Sequence, residues 1–463
     1  MYKTFKIALL FAVVFSITSC ATFYQQNIKM MDAAYKGDYT TANAILEKSK
    51  LKKQKRNQLL YLLNKGSLLF MENKFVESNT YFQQADYLIE DFQKNYLTAA
   101  TSFVVNPTIQ AYEGENFEKV LVHYYSTINY LMLGKLDEAL VECKRMELKL
   151  QKITDYYKGK NNYKNDAFVY LLSGIVYDAQ KDYNAAFIAY RNAYNVYKDE
   201  YQPSMGIAIP EQLKEDLIRS ALLTGFTEEA NTYKKEFKLE DFVLTNEMKN
   251  QAVVFWNNGL GPIKDEWSVN FSIIPAGNGY VNFTNWDLGM NIPFYAGNDA
   301  KEMAKLNFIR VAFPKYITRE PVIKNAILVI DSLQKTYAFS EAENIDKIAY
   351  TSINDRFLKE MSTALARLAL KQVAVAATNK NNEIAGSALS ILNAVTEKAD
   401  TRNWQFLPHT INYARIQTSP GMHTLTFKGG KELINIPIEI KPNSTIFKII
   451  QSPNFNGYTD RKK

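Results

Sequence analysis

The chain has 463 residues, of which 47% are hydrophobic and 22% are charged, with a formal net charge of +7. This length allows two or three ordinary domains, and the few glycines (19) and prolines (13) argue against long disordered linkers. Because the positive charge is spread thinly, we expect no nucleic-acid partner. The two cysteines, Cys20 and Cys143, lie in such different regions that we expect no disulfide between them.

Residues 1–19 have the layout of a secretory signal peptide. Lys3 and Lys6 form a positive start, residues 7–15 form an apolar run, and small or hydroxyl side chains precede Cys20. A cysteine at this place resembles the bacterial lipoprotein signal, which implies cleavage before Cys20 and acylation of its thiol and its amine. The alternative is an ordinary signal peptide with an incidental cysteine.

The resemblance implies a protein of the cell envelope that is held on a membrane by lipid. Two or more acyl chains give a stable anchor, whereas one chain is marginal. Beyond the signal no run of about 18 apolar residues occurs, so we expect no membrane-spanning helix. Ala21 stands where an aspartate would suggest inner-membrane retention in many Gram-negative bacteria, and analogy therefore favours the outer membrane.

Residues 24–236 repeat a helix–turn–helix pattern. A turn residue recurs at Gly37, Asn73, Gly134 and Lys181, and a weaker fifth unit covers residues 222–237. Seven positions before the turn the side chain is mostly small or slim, and nine positions after it stands a core residue such as Phe82. Small residues let paired helices touch closely. The spacing resembles the tetratricopeptide repeat of about 34 residues.

Stacked helix pairs form a solenoid with an extended concave surface, which commonly binds peptides or partner proteins. We expect the aromatic side chains of the repeats to fill the core. Cys143 stands nine positions after its turn residue, where the other repeats have a core residue, and we interpret it as a buried thiol. The insertion at residues 106–125 is less generic. Its Glu115, His123 and Tyr124 have either a structural or a binding role.

After about residue 238 the periodicity becomes that of strands. Short β-branched and aromatic runs predict strands within residues 251–274, 306–316, 325–332, 410–427 and 434–440. The Ser419-Pro420-Gly421 turn predicts a hairpin that places Ile416 opposite Leu425. Helices are predicted over about 341–378 and 383–398.

The predicted fold class is an all-α, tetratricopeptide-like solenoid followed by an α+β domain with a mainly antiparallel sheet and one long helix. The solenoid covers residues 20–240, and the α+β domain covers residues 241–463.

The sequence offers no support for a catalytic, cofactor or metal site. Its three histidines, His123, His409 and His423, include no pair at helical spacing. Motifs for a nucleophile elbow, a phosphate loop or a dinucleotide-binding turn are absent, and no spacing selects a catalytic pair of carboxylates. We therefore expect no enzyme, no cofactor and no metal, and we name no catalytic residue.

The most distinctive text lies at residues 396–427. Together with the insertion and with "NGLGPIK" (residues 258–264), it resembles an uncharacterised family of bacterial tetratricopeptide-containing lipoproteins over nearly the whole mature chain. The resemblance implies a shared layout and no established activity. Its motif positions correspond to Glu115, His123, Tyr124, Gly259, Pro262, Lys264, Asp400, Arg402, Trp404, Pro408, Arg415, Pro420, Gly421 and His423.

The last of these positions have two interpretations. In the first they are a fold signature, in which Asp400 and Arg402 pair, Trp404 fills a core edge and Gly421 supplies a positive φ. In the second they form a recognition surface of Arg402, Trp404, Arg415 and His423, which suits an anionic or sugar-containing envelope polymer.

The expected function is a protein–protein interaction scaffold. The repeats would bind envelope proteins, and Cys20 would bind the membrane. One alternative is an outer-membrane glycan receptor, which needs exposed tryptophans among Trp256, Trp267, Trp286 and Trp404. Another alternative is an envelope hydrolase with dispersed catalytic residues.

Overall fold

A computed structural model describes residues 22–96, 107–156, 163, 165–304, 308–330, 335–379 and 398–453. A helical N-terminal region ends at Phe237, and a C-terminal region of sheets begins at Gln251. Cys20 lies outside the described residues, and so does the predicted short helix apart from residue 398, which is not helical. No helix in the described ranges is both long and apolar enough to cross a bilayer.

In the described part of the helical region, the main helices form five hairpins. Three short helices precede or join them: α1 (Phe23–Gln26), α4 (Lys50–Lys53) and α11 (Gln202–Met205). The pairs are α2 (Ile28–Tyr35) with α3 (Tyr39–Lys48), α5 (Gln58–Met71) with α6 (Phe75–Tyr96), α7 (Asn116–Met132) with α8 (Leu136–Tyr156), α9 (Ala167–Ala179) with α10 (Tyr183–Val196), and α12 (Glu211–Thr224) with α13 (Thr227–Phe237). The predicted helix–turn–helix units, including the weak fifth one, are confirmed.

The turns and the helix contacts have the geometry that the repeat pattern predicts. Each turn holds one residue with positive φ, in order Gly37, Asn73, Gly134, Lys181 and Gly225. A Cβ built on Gly66 would lie 2.8 Å from the Phe82 ring, and one on Gly174 would lie 2.5 Å from the Tyr190 ring. Glycine is therefore needed wherever a large ring of the second helix lies against the backbone of the first.

Cys143 occupies the corresponding position in the third pair. Its Sγ lies 4.0 Å from Thr127 Oγ1 and is fully buried. Burial raises the pKa of the Cys143 thiol to about 12. The thiol is thus a small core side chain, as expected, because a reactive cysteine needs a low pKa and exposure.

The described C-terminal strands form three four-stranded sheets with the orders β12-β1-β9-β8, β11-β10-β6-β7 and β4-β3-β2-β5. All neighbours are antiparallel except β1 and β12, which are parallel. The strands are β1 (Gln251–Asn258), β2 (Ile263–Gly277), β3 (Tyr280–Asn285), β4 (Met290–Tyr295), β5 (Phe308–Ile317), β6 (Ala326–Ile330), β7 (Lys335–Ala338), β8 (Ser340–Asn344), β9 (Thr410–Gln417), β10 (Gly421–Gly429), β11 (Glu432–Ile440) and β12 (Thr445–Ser452). Two helices accompany them, α14 (Ala300–Ala304) and the long α15 (Ile345–Asn379).

The predicted hairpin at Ser419-Pro420-Gly421 is wrong. β9 pairs with β1 and β8, whereas β10 pairs with β6 and β11, so the turn is a corner between two sheets. Ile416 and Leu425 are not cross-strand partners, and both are buried in the core between the first and second sheets. A turn signal predicts a reversal of the chain, and it carries no information on which sheet the next strand joins.

One continuous apolar core joins the two regions. It contains Phe82 and Tyr125 of the helices together with Phe255 and Tyr413 of the first sheet. Separate clusters fill the space between the first and second sheets and between the third sheet and α15. The first sheet therefore lies directly against the helical region.

Candidate functional site

The surface formed by the first helices of the pairs contacts the chain's own C-terminal region. From the second pair to the fifth, each first helix supplies a polar contact: Ser67 on α5, Tyr124 on α7, Asp178 on α9 and Asp216 on α12. In a stack of helix pairs this is the surface that usually receives a peptide. The contacts between the two regions occupy this surface, so it is not open to a partner protein.

Trp404 lies at the centre of this intramolecular interface, and its side chain is 1% exposed. Its ring packs on Phe82 and Tyr125, with centroid distances of 5.7 and 5.3 Å. The indole Nε1 donates to Ser67 Oγ at 2.9 Å, and the backbone N–H donates to Glu118 Oε1 at 2.7 Å. The segment around Trp404 thus occupies the helical surface as a bound peptide would.

The turn between β1 and β2 holds the other side of this segment. Arg319 donates to the carbonyls of Gly261 and Gln405, both at 2.6 Å, and so fixes the turn to the segment. Gly259 has a φ of 63°, and a Cβ there would lie 2.9 Å from Pro321. Both the positive φ and the close approach require glycine at this motif position.

Arg402 holds the start of the segment. Its guanidinium binds Asp400 through Nε at 2.8 Å and Nη2 at 2.6 Å, and its Nη1 donates to Asn57 Oδ1 at 3.1 Å. The guanidinium also lies 5.4 Å from the centroid of the Tyr112 ring. The fork shape of arginine makes these contacts possible at once. The pairing expected in the fold-signature interpretation is present.

Arg415 belongs to a buried group of four charges. Its Nε lies 2.7 Å from Asp216 Oδ1, its Nη2 lies 3.1 Å from Asp178 Oδ2, and Arg219 also binds Asp178. All four side chains are buried. Burial opposes the charge on Arg415, but the two aspartates and Tyr190 outweigh it and raise the pKa of Arg415 well above its usual value. Two positive and two negative charges cancel, so the group tolerates burial only while it is complete.

Glu115 and Lys264 form a second ion pair between the regions. Glu115 precedes α7, forms a capping box with Glu118, and pairs with both Lys264 on β2 and Arg356 on α15. Burial alone would raise the pKa of Glu115, but the two cations lower it to about 2. The carboxylate is therefore charged and joins three elements.

His123 lies between two acidic residues at the contact of the second and third helix pairs. Its Nδ1 lies 2.7 Å from Glu142 Oε2, and its Nε2 lies 3.3 Å from Asp86 Oδ1, within ion-pair distance but without hydrogen-bond geometry. Lys149 and Arg145 neutralise the same carboxylates from the other side. Burial disfavours the imidazolium, but Asp86 and Glu142 outweigh it and raise the pKa of His123.

The structure does not bring the four residues of the suggested recognition surface together. Arg402, Trp404 and Arg415 are buried between the two regions, and His423 lies on β10, where its Nε2 is 2.8 Å from the carbonyl of Ser419. Tyr124 is also buried, and its hydroxyl donates to Asn257 Oδ1 at 2.7 Å. Of the seven candidate binding residues, Glu115, Tyr124, Arg402, Trp404 and Arg415 hold the two regions together, whereas His123 and His423 do not.

The exposed apolar side chains of the helix pairs lie on the second helices. They are Val76 and Tyr87 on α6, Val141 and Leu148 on α8, and Ile188 on α10. Within the described residues of the first helices, no large apolar side chain is exposed to this degree. The sequence analysis missed this surface, although its signal is visible: Val141 and Leu148 are two helical turns apart on the face opposite to the core.

A cleft of about 220 Å³ lies between α6 and α8, which we call the α6–α8 groove. It is smaller than the roughly 300–1,000 Å³ of small-molecule pockets, and so it suits a side chain of a partner. Tyr87 and Val141 are 70% and 51% exposed at its edge. The lining residues are Gln83, Asp86, Tyr87, Tyr130, Glu138, Val141, Glu142 and Arg145.

The tryptophans required of a glycan receptor are mostly covered. Trp256 and Trp404 are buried, and Trp267 is half-buried and stacks on Phe357. Trp286, in the turn between β3 and β4, is 76% exposed. In the ranges that the structure describes, no group of three or more His, Cys, Asp or Glu side chains could hold a metal ion.

No protein-family model and no curated protein matches the chain. Among solved structures, one titled MamA MSR-1 C2 aligns at 16% sequence identity with a TM-score of 0.27, over 47% of this chain and 95% of that one. A likeness of this size carries no argument. The class of protein therefore rests on the geometry described above, which is a region of stacked helix pairs joined to a region of mainly antiparallel sheets.

Proposed function

We propose that the chain is a cell-envelope lipoprotein, anchored in the outer membrane through Cys20, whose tetratricopeptide-like helices bind partner proteins. One observation carries the binding part of this proposal: apolar side chains are exposed around the α6–α8 groove. The partner surface is on the second helices because the first helices contact the C-terminal region.

The shape of the groove indicates how a partner would bind. Val141 and Leu148 are exposed along one face of α8, and Tyr87 on α6 lines the same groove as Val141. Burial of apolar surface by a partner contributes about 25 cal/mol per Å² to the free energy of binding. Glu138 and Arg145 supply a polar rim around it. A helix or an extended segment with apolar anchors at regular spacing would fit along the groove.

Site-specific crosslinking in cells tests this surface. A photoreactive residue replaces Tyr87 or Val141, and the control replaces Val243, which is 65% exposed and lies outside the helix pairs. We expect a reproducible protein adduct from the two groove positions and none from the control. We further expect a Leu148→Asp change to abolish the adduct formed at Val141. Equal adducts at all three positions, or none, would contradict the proposal.

The lipid anchor has its support in the sequence around Cys20. The apolar run of residues 7–15 and the small residues before the cysteine are the features that a lipoprotein signal requires. We expect Cys20→Ala, or globomycin treatment, to move the protein out of the membrane fraction and to remove lipid from its N-terminal peptide in mass spectrometry. Unchanged membrane association would count against the anchor.

A glycan receptor is the second candidate function, and Trp286 is the observation that favours it. The side chain is exposed on a turn, where an indole can stack on a sugar ring. Tryptophan fluorescence across a panel of envelope glycans, compared between the native chain and Trp286→Phe, tests it. An envelope hydrolase has no comparable support, since the interacting carboxyl groups of Asp166 and Glu343 are both buried.

A further inference from the structure

The positive charge of the chain is not spread thinly, as expected above, because one short surface segment holds much of it. The basic segment, residues 48–56, carries six cations in nine positions: Lys48, Lys50, Lys52, Lys53, Lys55 and Arg56. All six are exposed, while Leu51 is buried and pins the segment to the helices. The segment is therefore a firmly held basic surface.

Most of these cations have no acidic partner. Lys52 pairs with Glu47, a carboxylate that Lys65 also binds. In the part of the chain that the structure describes, no ion pair involves Lys48, Lys50, Lys53 or Lys55. Helix C-termini favour nearby cations, which explains one cation at the end of α3 and one at the end of α4. Arg56 donates through Nη1 to the carbonyl of Thr108 at 3.1 Å. Within the described residues, no ion pair accounts for the other unpaired lysines of the segment.

The basic segment lies close to the start of α1, whose first residue, Phe23, follows Cys20 by three positions. The backbone N–H of Phe23 donates to Thr401 Oγ1 at 3.1 Å. The next residue, Arg402, donates through Nη1 to the carbonyl of Arg56 at 3.3 Å. Thr401 and Arg402 thus connect the start of α1 to the end of the basic segment. Cys20 is two residues before Thr22, a reach of at most roughly 7 Å.

We propose that the basic segment binds the anionic phospholipid headgroups of the membrane to which the chain is anchored. This inference rests on the proposed lipid anchor at Cys20. Acyl chains at Cys20 would hold the segment near the membrane surface, where cations within a Debye length of roughly 8–10 Å are attracted to anionic lipid. The binding would orient the protein and place one defined end of the helix stack against the membrane.

Vesicle binding tests this proposal without the lipid anchor. The chain used covers residues 20–463 with Cys20→Ser, which retains every residue that the structure describes. Its partition is measured onto phosphatidylcholine vesicles with and without phosphatidylglycerol, at low and high salt. We expect binding only to the anionic vesicles, lost at high salt.

Two triple variants change the net charge by the same amount at different places. Comparing them shows whether binding depends on the basic segment or only on the net charge. One is Lys50→Glu, Lys53→Glu and Lys55→Glu in the basic segment. The other is Lys428→Glu, Lys431→Glu and Lys441→Glu, at exposed positions on β10 and at the two ends of β11. We expect the first to lower the partition coefficient at least about tenfold and the second to change it less than about threefold. Circular dichroism verifies that both fold.

Three results would overturn the proposal: equal loss in both triple variants, equal binding to neutral vesicles, or binding to a free polyanion such as heparin without binding to vesicles. Because the Cys20→Ser chain carries no lipid, a failure to bind vesicles does not bear on the lipid anchor. Conversely, failure of the Cys20→Ala experiment would remove the anchor and leave the vesicle result standing.

Discussion

Arg415 on β9 and Asp216 on α12 form a buried ion pair of 2.7 Å, although 199 residues separate them in the chain. Asp178 and Arg219 complete the charge balance around this pair. Neither region can bury its own charges alone, since the aspartates come from the helices and Arg415 comes from the sheet. We infer that the helical and sheet regions unfold as one cooperative unit.

The first prediction concerns this charge group. Arg415→Met leaves two buried aspartates with one arginine, and removing a partner from a buried ion pair costs about 3–5 kcal/mol. We expect the free energy of unfolding in urea to fall by about that amount. The control, Arg310→Met on the exposed face of β5, should change it by less than about 0.5 kcal/mol. Similar losses of stability in both variants would show that the loss at Arg415 does not arise from its buried ion pairs.

The second prediction concerns the close contact within the second helix pair. In an uncrowded helix, Gly→Ala is stabilising by about 0.8–1.0 kcal/mol. At Gly66 the added Cβ would lie 2.8 Å from Phe82, so we expect Gly66→Ala to destabilise the protein by about 1–3 kcal/mol. A loss of stability would support the close contact between Gly66 and Phe82, and a gain would contradict it. Thermal unfolding of the double variant with Phe82→Leu should show less than the sum of the two single losses.

The third prediction concerns Glu343, which is buried beside Asp166. Burial and Asp166 raise the pKa of Glu343 well above its usual value, so the folded protein binds this proton more tightly than the unfolded chain. The stability that the group contributes is complete below a pH of about 4.5, the unfolded value, and is lost as the pH rises towards the folded pKa.

We therefore expect Glu343→Gln to be more stable than the native chain at pH 8, with the difference shrinking towards pH 4.5. Thermal unfolding at several pH values measures it. Glu439→Gln, at an exposed position on β11, serves as the control and should show no such trend. A constant difference across the pH range would mean that folding does not raise the pKa of Glu343.

The fourth prediction concerns His123. Because Asp86 and Glu142 outweigh burial and raise its pKa, the imidazolium stabilises the fold at a pH below 6.5, and this contribution is lost as the pH rises through the folded pKa. NMR titration of the three histidines should place the midpoint of His123 above 6.5, with His123→Asn used to assign its signal. A midpoint below 6.5 would show that burial outweighs the two carboxylates.

Local patterns were sufficient for much of the fold. The helix pairs followed from the spacing of small and bulky residues, because a helix places residues three and four apart on one face. Five strands were missed: β3, β4, β7, β8 and β12. The predicted start of the long helix at about 341 fell inside β8, whose sequence SEAEN has little β propensity and is a strand only through its pairing with β9.

The candidate site was less predictable than the fold. The resemblance singled out Glu115, Trp404 and Arg415, but their residue types suit a binding surface as well as a buried interface. Burial decides between the two, and burial depends on which distant segment covers them.

The sequence by itself determined the helix pairs, the strand-rich second half, the interpretation of Cys143 as a core thiol and the expectation of a lipid anchor at Cys20. Periodicity and short motifs are local, and local sterics determine them. Only the tertiary structure decided that the sheets cover the first helices and that the open surface lies on the second helices. Contacts such as that between Trp404 and Ser67 join residues 337 positions apart, and no local pattern encodes such a contact.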